Sequence, residues 1–132
     1  MKILIVDDTT TARIFAKKCL TGIGFHDAEF IQAKHGLDAL DKLKDTSIDL
    51  ILTDLMMPEM DGETLLTQIK MKEELRDIPV VIVSSAGNMA RRDILMQMGA
   101  LDILPKPFST TEMYEVLKGF LDEEEEDDDW GD

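Results

Sequence analysis

The chain is poor in cysteine, in aromatic residues and in long apolar runs, the features that would mark a disulfide-rich or a membrane protein. Its 132 residues include one cysteine, one tryptophan and one tyrosine, and only 5% of them are aromatic. A lone Cys19 excludes an internal disulfide and favours a reducing compartment. The N-terminal run MKILIVDD is apolar only briefly before two acids interrupt it, so it predicts neither a signal peptide nor a membrane span. We therefore expect a cytoplasmic protein with no membrane association.

Positive charge is also scarce. The chain carries 28 acids against 14 lysines and arginines, which gives a net charge of −14. Nine of the acids lie in residues 122–132, DEEEEDDDWGD, and without them the net charge is −5. Nucleic-acid binding needs clustered basic residues, so the composition predicts no nucleic-acid partner. The acidic run is typical of a disordered tail, and two further interpretations stay open: Trp130 anchors a partner, or the tail repels acidic ones.

The remaining residues, 1–121, have room for one domain and contain no repeat and no internal linker. Five short apolar runs alternate in them with segments of helical periodicity. We interpret all five as strands, and three of them are nearly continuous Val, Ile and Leu, as expected of strands covered on both faces. The runs are KILIV (2–6), EFIQA (29–33), DLILT (49–53), PVVIV (79–83) and LDILP (101–105). This alternation predicts an α/β domain with a doubly wound, five-stranded parallel sheet and five helices. STTE, residues 109–112, has the spacing of a capping box at the start of the last helix.

Polar side chains follow four of the predicted strands. Asp7 and Asp8 come after the first, Asp54 after the third, Ser84 after the fourth and Lys106 after the fifth. Each alone has an ordinary explanation as a turn or a helix cap. Because parallel strands joined by right-handed crossovers end at one edge of the sheet, where ligands of such folds bind, all five are expected to share one pocket.

Three carboxylates in one pocket repel each other. At about 4 Å and an effective dielectric constant near 20, each like-charge pair costs roughly 4 kcal/mol. Lys106 supplies one positive charge, and Mg²⁺, which prefers oxygen ligands, would supply the remainder. A carboxylate can attack phosphorus while a cation, a lysine and a hydroxyl bind the phosphoryl oxygens. The pattern therefore predicts phosphoryl chemistry, with Asp54 on the central strand as the nucleophile.

Several longer motifs resemble the receiver domain of two-component response regulators, and within that family the single-domain chemotaxis regulators of the CheY type. The resemblance covers residues 1 to about 121; its motifs are VDD (6–8), TDLMMPEMDG (53–62), IPVVIVSSAG (78–87), GALDILPKPF (99–108) and TAR (11–13). It implies a flavodoxin-like sheet with strand order 2-1-3-4-5. It also implies a stand-alone, monomeric signalling protein.

The resemblance assigns roles to the pocket residues. Asp54 would be phosphorylated by a histidine kinase, and Asp7, Asp8 and Asp54 would hold Mg²⁺ together with the backbone carbonyl of Met56. Ser84 and Lys106 would then bind the phosphoryl group.

The same resemblance implies a cis peptide bond between Lys106 and Pro107. Ile103, however, stands where the family usually has a tyrosine or phenylalanine that rotates inward on activation. Met56 and Ala86 stand where chemotaxis regulators often have polar side chains, so the lifetime of the phosphorylated state is expected to differ from theirs. Pro105 is tolerable in a strand only at the edge of a sheet.

Such a protein would catalyse only its own phosphorylation and dephosphorylation, and would not otherwise be an enzyme. Its signal would pass to a flagellar switch, a phosphatase or a phosphotransfer protein bound to the face of helix 4, strand 5 and helix 5. Methionines at positions 89, 96, 98 and 113 fill the core or line that face, where Tyr114 and Lys118 could join them.

Other functions have to be weighed against this one. A phosphorelay intermediate, which passes its phosphoryl group to a histidine phosphotransfer protein, and a phosphorylation-independent interaction module both stay open. A phosphatase of the dehalogenase type is set aside because Met56 stands where its second aspartate would be. Flavin binding is set aside because Asp7 and Asp8 would repel the flavin phosphate.

Overall fold

The computed structural model describes the backbone of residues 1–129 and the side chains of residues 1–85 and 87–121. Within that part of the chain, strands and helices alternate. The strands are β1 (Lys2–Val6), β2 (Glu29–Ala33), β3 (Leu50–Asp54), β4 (Val80–Ser85) and β5 (Asp102–Lys106). The helices are α1 (Thr10–Ile23), α2 (Gly36–Asp45), α3 (Gly62–Met71), α4 (Arg92–Gln97) and α5 (Thr110–Asp129), and a short 3₁₀ segment, Ala86–Arg91, precedes α4.

The five strands form one parallel sheet in the order β2-β1-β3-β4-β5. The predicted flavodoxin-like, doubly wound fold is therefore confirmed. β1 and β2 have the predicted bounds, whereas β3, β4 and β5 begin one residue later and extend one or two residues further than predicted. The extension matters for function, because Asp54, Ser84 and Lys106 are strand residues held by the sheet and not loop residues.

Two hydrophobic cores lie on opposite faces of the sheet. Since successive strand residues point to opposite faces, Ile3 and Ile5 of β1 face α1 and α5, while Leu4 and Val6 face the other helices. Both sides of the central strand are covered, and all five residues of β3 are buried. Burial on both faces explains why the sequences of β1, β3 and β4 are nearly continuous in Val, Ile and Leu instead of alternating.

The methionines near the fourth and fifth helices belong to these cores. Met89, Met96 and Met98 are partly buried against the core beneath α2, α3 and α4, and Met113 is fully buried on the other side. The interpretation that they fill gaps in the core is confirmed for these four residues.

β5 lies at one edge of the sheet, as the prediction for Pro105 requires. Pro105 pairs with Ser84 of β4, and its missing N–H falls on an edge strand, where no further strand needs it.

Helix α5 begins at the predicted capping box. The Ser109 amide donates to Oε1 of Glu112 at 2.9 Å, and the Glu112 amide donates to Oγ of Ser109 at 3.1 Å. The acidic segment predicted as a disordered tail, 122–132, is described only in part: the backbone of α5 continues to Asp129, whereas the side chains beyond residue 121 and all of Trp130 lie outside the described residues. The tail prediction and the roles suggested for the tail and for Trp130 stay predictions. None of the helices found in residues 1–129 has the length and apolar character needed to cross a membrane.

Candidate functional site

Three carboxylates meet at the carboxyl-terminal edge of the sheet. Asp7 and Asp8 directly follow β1, and Asp54 is the last residue of the neighbouring β3. One oxygen atom from each of the three side chains lies within 4.8 Å of the others. Asp7 and Asp54 are only 8% and 7% exposed, whereas Asp8 is exposed to solvent. These three side chains are called the acid pocket below.

Lys106 reaches the acid pocket from the far edge of the sheet. Its ammonium group donates a 3.2 Å hydrogen bond to Oδ2 of Asp54 and lies 3.6 Å from Oδ2 of Asp7. The lysine ends β5, which is separated from β3 by β4. The predicted convergence of Asp7, Asp8, Asp54 and Lys106 is therefore what the structure shows. The peptide bond between Lys106 and Pro107 is cis, as predicted.

The pKa of the Asp54 carboxyl is raised above its ordinary value. Burial is the largest cause and the nearby charge of Asp7 adds to it, while Lys106 and the Leu55 amide act in the opposite direction without cancelling them. The pKa of Lys106 is raised as well; its own burial lowers it, but the charges and hydrogen bonds of Asp54 and Asp7 outweigh that effect. The positive charge of Lys106 is thus stabilised by its partners, whereas the negative charge of Asp54 is not fully compensated. One ammonium group does not neutralise the acid pocket.

The acid pocket fits a hard divalent cation. It offers only carboxylate oxygens as ligands, and with Lys106 included it retains a net negative charge. Mg²⁺ prefers oxygen ligands and usually keeps several waters and phosphate oxygens beside its carboxylates, and the acid pocket offers oxygen ligands with one of its acids open to solvent.

Arg13 positions the main chain of Asp7. The guanidinium of this buried α1 residue donates to the carbonyl oxygen of Asp7 at 2.7 Å, to Gln32 of β2 at 2.9 Å and to Thr10 at 3.1 Å. The arginine thereby ties the first acidic residue to both α1 and the edge strand. Its motif is visible in the sequence, but its burial and its role are not.

Gly62 brings the start of α3 against the end of β3. Its amide donates a 2.8 Å hydrogen bond to the carbonyl of Leu55. A Cβ atom at this position would lie 2.4 Å from the carbonyl oxygen of Asp54 and 3.0 Å from Cα of Leu55. The sequence signal for this role is the DG pair at residues 61–62, because Asp61 also caps α3 by accepting from the Thr64 amide at 2.8 Å.

Two predicted site residues lie near the acid pocket without contacting it. Ser84 is buried and follows Val83, which is the strand partner of Asp54, and its hydroxyl donates to the carbonyl of Ser85 at 3.4 Å. Met56 lies two residues beyond Asp54 with a largely exposed side chain. The Ala86 side chain lies outside the described residues.

Ile103 occupies the position at which the family usually has an aromatic side chain. It is 4% exposed, pairs with Ile82 of β4 and packs in the core beneath α2, α3 and α4. The side chain is thus already directed inward in this structure.

The sequence matches the response regulator receiver domain family over residues 3–118. The chain belongs to this family. A CheY homologue of Campylobacter jejuni is 33% identical to it over 122 residues, which are 92% of each chain. CheY-3 of Vibrio cholerae is 37% identical over 117 residues, or 89% of this chain and 88% of that one. Among solved structures, the chemotaxis response regulator CheY4 of Vibrio cholerae superposes with a TM-score of 0.78 at 25% identity, covering 89% of this chain and 96% of that one.

The acid pocket lies where ligands of this receiver fold are expected. The strand order reverses between β1 and β3, since β2 lies on one side of β1 and β3 on the other. In doubly wound sheets the crevice outside the strand ends at that reversal is the binding site. Asp7, Asp8 and Asp54 occupy this crevice.

Proposed function

We propose that this receiver is a phosphorylation-dependent switch, in which Asp54 accepts a phosphoryl group from a histidine kinase. The observation that supports it most directly is the contact between Lys106 and Asp54 inside the acid pocket. Asp54 is nearly buried and its pKa is raised, so its negative charge is not fully compensated and does not serve to stabilise the fold. Such a carboxylate beside an ammonium group is suited to bind a phosphoryl group together with a cation.

The transfer itself requires few groups. An Asp54 carboxylate oxygen attacks the phosphorus atom, and the bond between phosphorus and the donor, a histidine nitrogen or an acetate oxygen, breaks in the same step. Lys106 neutralises charge on the phosphoryl oxygens from its place beside Asp54. Asp7, Asp8, Asp54 and the backbone carbonyl of Met56 would hold Mg²⁺, which would supply further positive charge to those oxygens.

Ser84 would act after the transfer. Its hydrogen bond to the Ser85 carbonyl is long and therefore weak, so the hydroxyl can turn to a phosphoryl oxygen on Asp54 at small cost. Ser84 is close enough for this because Val83, the residue before it, is the strand partner of Asp54. In this proposal the protein catalyses only its own phosphorylation and dephosphorylation.

The phosphorylated protein would signal by binding another protein. Exposed apolar side chains are available on the proposed output face, since Ile94 of α4 and Leu101 before β5 are both exposed, and Tyr114 of α5 is half-buried. Chemotaxis is the pathway supported by the relatives' names, with a flagellar switch or a phosphatase as the partner class. We place the protein in the cytoplasm, where such partners act.

Intact mass spectrometry after incubation with acetyl phosphate tests the proposal. The wild type should gain one phosphoryl group with Mg²⁺ present and none with a chelator. Asp54→Asn should gain none, whereas Asp41→Asn, which alters an exposed acid on α2, should behave as the wild type. A folded wild-type protein that binds Mg²⁺ but takes up no phosphoryl group would instead indicate a phosphorylation-independent interaction module.

A further inference from the structure

An apolar cavity lies next to the acid pocket, on the side of the sheet covered by α1 and α5. Its volume is about 140 Å³. Ile5, Leu52 and Val83, from three adjacent strands, line it, and so do Ala12 and Ala16 of α1. This space is explained neither by the proposed cation site nor by the proposed output face.

The cavity exists because α1 carries small side chains where it faces the sheet. Ala12 and Ala16 lie one helical turn apart on the same side of the helix, and a larger residue at either position would occupy the volume. Phe15 of α1 and Phe108 also line it, with their ring centroids 5.3 Å apart at an angle of 47°. Phe15 is 47% exposed, so the aromatic pair also borders solvent.

The lining determines which molecules can enter. Polar groups contribute at one end only, where Asp7, Asp54 and Lys106 border the space. An apolar cavity of similar volume, about 150 Å³, stays dry in another protein and binds benzene. At the polar end two carboxylates face one ammonium group, so the net charge is negative and an anion is disfavoured.

We propose that this cavity is a binding site for a small uncharged ring compound of the size of benzene or phenol. The ligand would contact the strands beneath Asp54 and the Lys106–Phe108 segment. The site depends on the α1 side of the fold and not on phosphorylation, so it stands whether or not Asp54 is a phosphoacceptor.

Benzene titration followed by methyl NMR of the isotope-labelled full chain tests the site. Methyl signals of Ile5, Leu52 and Val83 should shift and saturate with one shared half-saturation concentration. Methyl signals of Ile51 and Ile82, which lie in the core on the opposite face, should not move. Shifts that grow linearly without saturating, or none at all, would refute the proposal.

Two matched variants show whether the cavity itself binds the ring. Ala12→Leu fills the space from α1 and should abolish the saturable shifts, whereas Thr21→Leu adds the same side chain on an exposed part of the same helix and should leave them unchanged. If Ala12→Leu does not fold, Ala12→Val should weaken binding at least tenfold. Unaltered binding in a folded Ala12 variant contradicts the assignment.

Charge selectivity is a separate check on the ligand class. Phenol should bind to the same methyl groups as benzene, and benzoate, which has the same ring with a carboxylate, should bind at least tenfold more weakly. Benzoate that binds as tightly as phenol would mean that the acids do not border the bound ring, and the uncharged class would be wrong.

Discussion

Gly62 and Asp54 approach each other so closely that a Cβ on the glycine would lie 2.4 Å from the aspartate's carbonyl oxygen. Backbone atoms cannot yield as a flexible side chain can. The start of α3 is therefore packed backbone against backbone on the end of the proposed phosphoacceptor strand, with room for glycine and for no larger residue.

Gly62→Ala is accordingly expected to destabilise the protein and to disturb the acid pocket. The free energy of unfolding should fall by about 1–3 kcal/mol, since the added methyl group forces the backbone to move, and Mg²⁺ should bind more weakly. Gly119→Ala is the matched control, because nothing lies within 4 Å of the position where its Cβ would be. Because Gly119 is an exposed residue inside a helix, the substitution should raise the free energy of unfolding by about 0.5–1 kcal/mol. Urea unfolding and Mg²⁺ titration calorimetry measure both effects; a Gly62→Ala protein as stable as the wild type would contradict the contact.

The raised pKa of Asp54 predicts a pH-dependent gain from Asp54→Asn. The folded protein binds a proton at this carboxyl more readily than the unfolded chain, so ionised Asp54 destabilises the fold at neutral pH. Without Mg²⁺, the variant should be the more stable protein at pH 7. The difference should shrink as the pH falls through the raised pKa and vanish below the ordinary value of 3.8.

Thermal unfolding in a chelating buffer at several pH values measures this difference. Asp41→Asn is the matched variant for removing a carboxylate, because Asp41 is exposed on α2 and lies 3.6 Å from its i,i+3 neighbour Lys44. A difference that grows on acidification would mean that the fold stabilises the ionised Asp54 carboxylate, and it would contradict the raised pKa.

Arg13→Met should weaken both the fold and the metal site. The substitution removes three hydrogen bonds from a buried guanidinium and frees the main chain of Asp7, which should cost about 2–4 kcal/mol of unfolding free energy. Arg13→Lys should recover only part of the loss, since an ammonium group cannot reproduce the planar donor geometry.

Arg92→Met is the control for removing an arginine. Arg92 pairs with Asp102 at 3.1 Å on the surface, where both side chains are about one-third exposed or more, so its loss should cost less than about 1 kcal/mol. Mg²⁺ affinity should drop in the Arg13 variants and stay unchanged in Arg92→Met. Equal affinities in all of them would remove Arg13 from the site.

Replacing Ile103 by the family's usual aromatic residue should be unfavourable in this chain. Ile103 is packed in the core, and a phenylalanine adds volume that the core must accommodate, at a cost of about 1–3 kcal/mol. Ile103→Val, the control that removes volume, should cost about 0.5–1.5 kcal/mol. Urea unfolding separates the cases. An aromatic variant as stable as the wild type would show that space for an inward ring exists already.

Much of this fold could be predicted from the sequence because its signal is local. Five apolar runs, the alternation with helical periodicity and the polar residues after the runs suffice to place the acids and Lys106 at one edge. Strand ends were less predictable. Asp54 and Lys106 continue the backbone hydrogen bonding of their strands although their side chains are charged, so the change from apolar to polar residues comes before the ladder ends.

The roles of Arg13 and Gly62 could not be predicted in this way. An arginine on the first turn of α1 can face solvent or the sheet, and only the packed structure shows that it turns toward Asp7 and Gln32. The close approach of Gly62 to Asp54 depends on how the intervening loop closes. Both are tertiary contacts, and neither leaves a periodic pattern in the sequence.

The contact between Lys106 and Asp54 joins residues that are 52 positions apart, and Asp7 adds a third remote segment to the same few ångströms. No fragment that lacks any of the three segments can assemble the acid pocket together with Lys106. A ribosome-bound chain that has not yet released β5, or one cut by a protease in between, would present a histidine kinase with an incomplete acceptor. If Asp54 is the phosphoacceptor, its phosphorylation would therefore require the complete folded domain, and incomplete chains would not signal.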